Sequence, residues 1–393
     1  MEKKPIAGLC AEDVAHYQDL AHQYAKKSLI PIFEGEHSDG DLVLLSEKLN
    51  TAFEIGIAAT PDESLSGCQY GIWGSATEET GVRPSLLLLS VIAETCGGAA
   101  MCLHAQGVAS NILLQAKRKL PFTPKRVGLC LQEGFCPPFL GTIISPDKDA
   151  PARITTTAIQ GKNTYIINGS KSFIYSLHYV EAYVVLARVD EKWGCFLIDT
   201  DEKNIERIDM GIRTGLRACV VENVRFNNVE IPIEVRMDDG DARELVIRAL
   251  SLNWAGMAAI AVGIAKGAAA AARKYAAERY QGGKQIEEHP AIKMLIAGAE
   301  AAIAAAEATL SSLQDGGFTS FKGLKKSAAV KLTVIELCSR AVTDCLQTFG
   351  GYGYVEDFGM EKRLRDITVL KSASGSPTYL KQLIFDIEKE GVL

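Results

Sequence analysis

The order of three differently patterned stretches most constrains the fold of this chain. Apolar residues recur at helical spacing from about residue 11 to 120, and the same spacing returns from about residue 240. Between them, from about residue 126, short runs of β-branched and aromatic residues alternate with turn residues. A single core seldom serves 393 residues, so several packed regions are expected. We therefore predict a mainly α protein with a central β domain.

The same patterns predict where these regions begin and end. The predicted domains are a helical N-terminal domain at residues 1–125, a β-rich middle domain at 126–234 and a helical C-terminal bundle at 235–393. Apolar residues at helical spacing predict individual helices at residues 42–55, 84–114, 299–310 and 328–349. The Gly- and Ser-rich stretch at residues 64–76 predicts a loop.

Strand signals are concentrated in the middle of the chain. The runs richest in β-formers lie at residues 153–158, 165–167, 183–186 and 194–198. Turn residues at 160–163 and at Asn168-Gly169 separate some of these runs. The sequence therefore predicts antiparallel strands.

Composition and charge exclude several classes of protein. The net charge of −6 argues against nucleic acid as a partner, because phosphate binding requires concentrated Lys and Arg. The ten cysteines are scattered without a CxxC pair, so no metal site is predicted. No hydrophobic signal core follows Met1, and the most apolar run, residues 255–272, is rich in Ala and Gly and contains Lys266. We expect a buried helix there, no transmembrane segment and a cytoplasmic location.

The last fifty residues carry the most specific motif. Residues 347–354 read QTFGGYGY, Arg365-Asp366 follows, and residues 373–376 read ASGS. This stretch resembles the C-terminal signature of the acyl-CoA dehydrogenase flavoproteins: roughly Q-x-F-G-G-x-G-Y, then R-D, then a Y-E-G-T-type loop. The resemblance implies a helical N-terminal domain, a β-barrel middle domain and a four-helix-bundle C-terminal domain. It also implies FAD as cofactor, bound across a subunit contact in a dimer or tetramer.

Three further segments support this resemblance. Residues 165–174 (YIINGSKSFI) resemble the family's N-G-x-K-x-F/W-I-T strand pair, which places an aromatic residue and a hydroxyl against the flavin. Gly215-Leu216-Arg217 and residues 224–232 resemble the pattern that closes the middle domain. Residues 278–286 (ERYQGGKQI) resemble the E-R-x-Q-F-G-x-x-I segment that meets the FAD diphosphate and adenine. The resemblance thus covers nearly the whole chain.

The resemblance implies a set of cofactor-binding residues. They are Arg279, Gln281, Gln347, Gly350, Gly351, Gln132, Phe173, Tyr175 and Ser376. Arg279 is able to pair bidentately with a phosphate, and the Gly350-Gly351 pair permits close approach of backbone amides to an anion. Taken alone, an Arg at a helix end is usually a solvated surface group and a Gly-Gly pair is usually a turn, so this assignment depends on the resemblance.

The chain departs from the family pattern around the predicted cofactor. Gly282 replaces the usual Phe beside the adenine, which removes a stacking surface. Tyr175 takes the place of the usual Thr, and Gln132 replaces Thr at the start of the loop that normally touches both flavin and acyl-CoA. A longer insert, residues 135–150, follows Gln132, so we expect a remodelled substrate entrance.

The most consequential departure concerns the catalytic base. Ser374 stands where the family's usual Glu stands, and a Ser hydroxyl accepts a proton only when another base activates it. Some family members carry the Glu on the long helix after the β domain. Counting back from Arg279 places that position at about Asn253, with Trp254 beside it. Both carboxylate positions therefore lack a base.

Other titratable residues near the predicted site are weaker candidates. His104 lies in an apolar helix that lines the acyl pocket floor in relatives, where a lone His is more often structural than catalytic. Glu94 is expected to be an ion-pair or hydrogen-bond partner, and Glu133 is expected to orient the backbone of its loop. The catalytic residue stays unassigned.

Two functions of different kinds remain open. The first is an FAD-dependent oxidoreductase that acts on an unusual acyl-CoA, cyclic or bulky, with a relocated base and an electron-transfer flavoprotein or similar acceptor. The second is a catalytically silent subunit that supports an active paralogue in a hetero-oligomer. A flavin monooxygenase on the same scaffold has little support, because no residue marks oxygen activation.

Overall fold

The computed structural model describes residues 11–33, 42–61, 71–74, 81–133, 154–315 and 317–389. Two features predicted from the sequence fall largely outside these ranges. The insert at residues 135–150 and most of the loop at residues 64–76 lie outside the described residues.

The first third of the described chain is helical. Its helices are α1 (Ala11–Tyr24), α2 (Ile30–Phe33), α3 (Leu42–Glu54), α4 (Arg83–Thr95) and α5 (Gly97–Leu114). The single helix predicted at residues 84–114 is wrong, because Cys96 has extended backbone angles and separates α4 from α5. The break lets Gly97 approach Ile264, whose Cδ1 would lie 2.7 Å from a Cβ at position 97.

The middle of the chain forms one sheet. Its strands are β1 (Val127–Cys130), β2 (Thr157–Gln160), β3 (Thr164–Ser176), β4 (Ala182–Val189), β5 (Lys192–Asp199), β6 (Ile205–Asp209) and β7 (Val220–Pro232). The strand order is β1-β4-β2-β3-β7-β6, with β5 paired to β4. β1 and β2 run parallel to β4, so the expectation of antiparallel strands alone is wrong for these two pairs. The β2–β3 hairpin lies between β1 and β4 in the chain and contributes to the long crossover connection that parallel pairing needs.

One predicted turn lies inside a strand. Asn168 and Gly169 belong to β3, which continues past them with a bulge. A Cβ at Gly169 would lie 2.5 Å from the Cα of Thr156, so glycine is needed because another backbone approaches closely. The turn predicted at residues 160–163 is confirmed, since it joins β2 to β3.

The remainder of the chain is again mainly helical. It consists of α6 (Arg243–Glu278), a small hairpin of β8 (Tyr280–Gln281) and β9 (Lys284–Gln285), α7 (Pro290–Ser311), α8 (Phe321–Thr348), α9 (Met360–Ser372) and α10 (Pro377–Lys389). Helices before and after a central sheet confirm the predicted fold class.

The long helix α6 runs through the core and packs against α4, α5 and α8. Its glycines lie where neighbours approach: a Cβ at Gly256 would be 2.2 Å from Cε1 of His104, and one at Gly263 would be 2.1 Å from the carbonyl oxygen of Ser90. By length and composition α6 is the one described helix that could cross a membrane, but 94% of its most apolar window is buried inside the protein. The prediction of a buried helix is confirmed.

Candidate active site

A small cavity lies where α5, α6, the sheet and the segment between α9 and α10 meet. Its volume is about 50 Å³, room for roughly three to five water-sized groups. The lining residues are Met101, Ala105, Val108, Leu129, Leu131, Gln132, Ser172, Phe173, Tyr175, Leu250, Asn253 and Ser374. No Asp, Glu, Lys, Arg or His is among these described lining residues. The cavity is therefore apolar, with a few hydroxyl and amide groups.

The segment that carries Ser374 is held by its backbone. We call residues 373–375 the Ser374 loop. The indole Nε1 of Trp254 donates to the carbonyl oxygen of Ser374 at 2.7 Å, and Nζ of Lys331 donates to the carbonyl oxygens of Ala373 and Gly375, the latter at 2.9 Å. Ser374 itself has a left-handed backbone (φ 52°), which is uncommon for a residue with a side chain. Three consecutive carbonyl groups are thus fixed, which holds Ser374 at the cavity wall.

Lys331 performs this task from a fully enclosed position on α8. Its side chain is 1% exposed, and burial lowers the pKa of its ammonium group to about 7. Because a buried amine must find acceptors, the two carbonyl groups of the Ser374 loop both satisfy Lys331 and position the loop. Lys331 is not among the residues predicted from the sequence. Its only signal is a Lys on the inward face of an otherwise apolar helical pattern.

A chain of hydrogen bonds leads from the protein interior to the Ser374 hydroxyl. Nε1 of Trp73 donates to Nδ1 of His104 at 2.8 Å, and Nε2 of His104 lies 2.9 Å from Oδ1 of Asn253. Nδ2 of Asn253 donates to Oγ of Ser374 at 2.7 Å. Asn253 and Ser374, the two positions where the family resemblance leads one to expect a carboxylate and finds none, are therefore in direct contact. Burial lowers the pKa of His104 to about 4 and keeps its ring neutral near pH 7.

The bulge in β3 shapes the opposite wall of the cavity. The pairing of β3 with β7 shifts between Lys171 and Ile174, which places Ser172 and Phe173 at the cavity with Phe173 in a left-handed conformation (φ 54°). Such bulges re-aim side chains next to functional sites. Burial raises the pKa of Tyr175, so its phenol is neutral near pH 7. Three predicted cofactor residues, Gln132, Phe173 and Tyr175, thus line one cavity with Ser374.

Glu133 has the structural role expected for it. Its carboxylate accepts hydrogen bonds from the backbone amides of Thr155 and Thr156 and from Nζ of Lys171 at 2.7 Å. Burial alone would raise the pKa of Glu133, but the Lys171 ammonium and these hydrogen bonds lower it to about 2. Glu133 therefore fixes β3 and the loop after β1, and is not a base for the cavity.

Glu94 also has the structural role expected for it. Its carboxylate pairs with Nζ of Lys266 at 3.1 Å, and Glu307 joins the same ammonium at 3.5 Å. This network connects α4, α6 and α7 and lies apart from the cavity lining.

The other predicted cofactor residues form an outer patch, which we define as Arg279, Gln281, Gln347, Gly350 and Gly351. None of them lines the cavity, and all but the half-buried Arg279 are exposed. The guanidinium of Arg279 lies over the ring of Tyr352 at 5.4 Å, which brings the end of α6 to the turn after α8. Nε of Arg279 is buried without a hydrogen-bond partner among the described residues. A Cβ at Gly350 or Gly351 would meet only open space.

Ser376 belongs neither to the cavity lining nor to the outer patch. Its hydroxyl accepts a hydrogen bond from the backbone amide of Tyr379 at 3.3 Å, in the first turn of α10. This is the behaviour of a helix cap. Its predicted contact with a cofactor stays a prediction, as does that of the other residues.

Comparison with known proteins identifies two family models in this chain. The model for the middle domain of acyl-CoA dehydrogenases matches residues 147–229, and the model for their C-terminal domain matches residues 255–374. Together the two models cover just over half of the chain.

Curated relatives and solved structures resemble the chain over different lengths. A subunit of the caffeyl-CoA reductase–Etf complex of Acetobacterium woodii is 27% identical over 59% of this chain and 62% of its own length. Cyclohexane-1-carbonyl-CoA dehydrogenase of Geobacter metallireducens is 26% identical over 93% of this chain and 94% of its own. The structure of butyryl-CoA dehydrogenase from Megasphaera elsdenii superimposes with a TM-score of 0.77 at 22% identity, covering 98% of this chain and 99% of that one.

Proposed function

This chain belongs to the acyl-CoA dehydrogenase family, and we propose that it is an FAD-dependent oxidoreductase for an acyl-CoA other than a simple straight-chain ester. The observation that carries the proposal is the pairing of Asn253 with Ser374 at a cavity whose described lining contains no carboxylate. A family member whose two usual base positions bond to each other is not built for the family's ordinary proton abstraction.

FAD is the cofactor of this family, and the residues present fit it. Arg279 offers a buried Nε that has no hydrogen-bond partner in the part of the chain that the structure describes, and the open space above Gly350 and Gly351 leaves their backbone accessible to an anion. We propose that the outer patch holds the diphosphate and adenosine, while Gln132, Phe173 and Tyr175 contact the ring system. When bound, FAD supplies the two-electron chemistry of the reaction. Because patch and cavity are separate on one chain, a second subunit would complete the cofactor site.

The residues around the cavity are suited to binding and orienting the acyl group, but none of the described lining residues is suited to transferring a proton. The Ser374 loop is fixed by Trp254 and Lys331, and the cavity wall is mostly apolar. Removing or adding the α proton of a thioester needs a group with a matched pKa, which a Ser hydroxyl and an Asn amide lack. We propose that a residue outside the described cavity lining supplies this group.

Relatives suggest the substrate class and the redox partner. One relative acts on a cyclic acyl-CoA and another belongs to a complex with an electron-transfer flavoprotein. We propose a cyclic or otherwise bulky acyl-CoA, an electron-transfer flavoprotein or similar acceptor, a cytoplasmic location and a homo- or hetero-oligomer. The volume of the cavity itself admits only the first few acyl atoms, so a bulkier group would extend past it.

The second candidate function is a silent subunit that supports an active paralogue. The same Asn253–Ser374 pair favours it, because the pair leaves both carboxylate positions without a base. The two candidates differ in one result: a silent subunit binds acyl-CoA or FAD without passing electrons between them.

The test is reduction of the bound flavin by a panel of acyl-CoA esters under anaerobic conditions. We expect at least one cyclic or aryl-substituted ester to bleach the flavin absorbance, and butyryl-CoA to bleach it only slowly. Bleaching by none of the esters, with reduced flavin equally unable to reduce the enoyl forms, would favour the silent subunit. A protein that takes up no FAD at all would reject the proposal.

A further inference from the structure

The hydrogen bonds around Ser374 have a direction that Trp73 sets. An indole Nε1 only donates, so Nδ1 of His104 must be the acceptor in their 2.8 Å contact. Trp73 is itself held firmly: its amide donates to Oγ of Ser85 at 2.9 Å and its carbonyl oxygen accepts from Nδ2 of Asn111 at 2.6 Å. The series of hydrogen bonds therefore begins at a rigidly held group whose role as a donor is unambiguous.

The direction passes through His104 to Asn253. With Nδ1 accepting and the ring neutral, the remaining proton of His104 is on Nε2. Nε2 therefore donates to Asn253, and the amide of Asn253 must turn its Oδ1 towards His104. This orientation leaves Nδ2 facing Ser374, where it donates to Oγ. Gly256 makes room for the ring, since a Cβ there would lie 2.2 Å from Cε1 of His104.

The chain of bonds ends at the hydroxyl of Ser374. Oγ accepts from Asn253, and no acceptor for its own hydrogen occurs among the described residues. The Ser374 loop cannot turn away, because Trp254 and Lys331 hold its three carbonyl groups. At the cavity wall Ser374 thus presents an O–H donor whose orientation five other side chains determine.

We propose that Ser374 is a specificity-determining hydrogen-bond donor, and that the site selects acyl-CoA esters with an oxygen acceptor on the first carbons of the acyl group. This inference rests on the proposed function, because it needs the acyl group of an acyl-CoA in the cavity. Once an acyl group covers the partly exposed Ser374, a donor left without a partner disfavours a plain hydrocarbon chain, whereas a keto or ether oxygen satisfies it. Asn253, His104 and Trp73 are positioning residues that act through Ser374.

The test measures binding rather than turnover. Dissociation constants of butyryl-CoA, its isostere methoxyacetyl-CoA and 3-oxobutyryl-CoA are measured by calorimetry on the oxidised, FAD-loaded protein. We expect the wild type to prefer an oxygen-bearing ester, and Ser374→Ala to reduce that preference about tenfold, as one hydrogen bond allows. Ser172→Ala, which also removes a hydroxyl from the cavity wall, is the matched control and should change all three constants alike.

A second variant reverses the last bond without changing its shape. In Asn253→Asp the new carboxylate has no hydrogen to donate, so Ser374 must donate to it and turn its lone pairs to the cavity. We expect the preference for oxygen-bearing esters to fall as far as in Ser374→Ala, although the Ser374 hydroxyl is still present. A merely structural role for Ser374 predicts no such loss.

The possible outcomes separate the inference from the function on which it rests. Two outcomes overturn the inference alone: the wild type binds all three esters equally, or Ser374→Ala loses the same affinity for all three. In either case the Ser374 hydroxyl would contact the thioester that all three share, or no part of the ligand. Failure of every ester to bind overturns the proposed function and the inference with it. Unchanged flavin content in each variant shows that the fold is retained.

Discussion

The cavity and the outer patch differ in how far one chain completes them. At the cavity, the carbonyl groups of the Ser374 loop accept from Trp254 and Lys331, Oγ of Ser374 accepts from Asn253, and the wall is apolar. At the outer patch, Arg279 has a buried Nε without a described partner and Gly350 faces open space. Satisfied groups fix geometry, and unsatisfied ones indicate a missing partner. We propose from this difference that the cavity determines which acyl group binds, and that a cofactor and a second subunit complete the patch.

The largest effect is expected from a variant that restores a base to the cavity. In Ser374→Glu a carboxylate would reach the place that now holds a donor, and Nδ2 of Asn253 would hydrogen-bond to it. General-base catalysis is typically worth roughly 10²–10⁴-fold, so dehydrogenation of butyryl-CoA should rise by a factor in this range. Turnover with an artificial electron acceptor is the measurement, and Ser372→Glu, on the exposed end of α9, is the control. A folded, flavin-loaded variant without any gain would place Ser374 away from the acyl group.

The next effect concerns the pH dependence of stability that Lys331 introduces. Its pKa is about 7 in the folded protein and about 10.4 when unfolded, so the unfolded chain binds more protons between these values. The free energy of unfolding should therefore rise with pH across this window, by at most about 4–5 kcal/mol, and be lowest below pH 7.

Urea unfolding from pH 7 to pH 9.5 checks this dependence, with Lys331→Met as the reference that lacks the titrating group. We expect the wild type to gain stability relative to this variant as the pH rises. Parallel curves for the two proteins would mean that Lys331 keeps its proton in the folded state.

A smaller effect tests the outer patch. Arg279→Ala should weaken FAD binding about 10- to 100-fold, because a charge-assisted hydrogen bond contributes about 1.5–3 kcal/mol. Flavin retained after dialysis, measured by absorbance, is the readout. Arg273→Ala, which removes the exposed ion pair between Arg273 of α6 and Glu300 of α7, should retain flavin. Equal retention by both variants would remove Arg279 from the cofactor site.

The smallest effect concerns the ring that supports Arg279. Tyr352→Ala removes the aromatic face under the guanidinium and should weaken FAD binding about two- to fivefold, in keeping with about 0.5–1 kcal/mol for an exposed cation–π contact. Tyr354→Ala is the control, since that side chain is 84% exposed. An identical change in both variants would make the contact of Arg279 with Tyr352 irrelevant to the patch.

Local patterns predicted the fold and part of the site, and contacts distant in sequence explain the rest. Helical spacing, β-former runs and motif order gave the architecture, and the residue count from Arg279 gave Asn253. The pairing of Asn253 with Ser374 spans 121 positions, Trp73 carries no local signal of its role, and the position of Lys331 in an apolar helical pattern does not show which carbonyl groups it contacts. The Asn168-Gly169 turn was mispredicted because a strand bulge and a turn favour the same residue types.

The visible spectrum of the purified protein before and after addition of butyryl-CoA tests the role of Asn253 and Ser374 most sharply. We expect the spectrum of oxidised FAD, release of that FAD on denaturation, and little bleaching by this straight-chain ester. A colourless protein that takes up no added FAD would contradict the cofactor assignment. Rapid bleaching by butyryl-CoA would show that a base serves the family's ordinary reaction, and would contradict the proposal that the Asn253–Ser374 pair leaves the cavity without one.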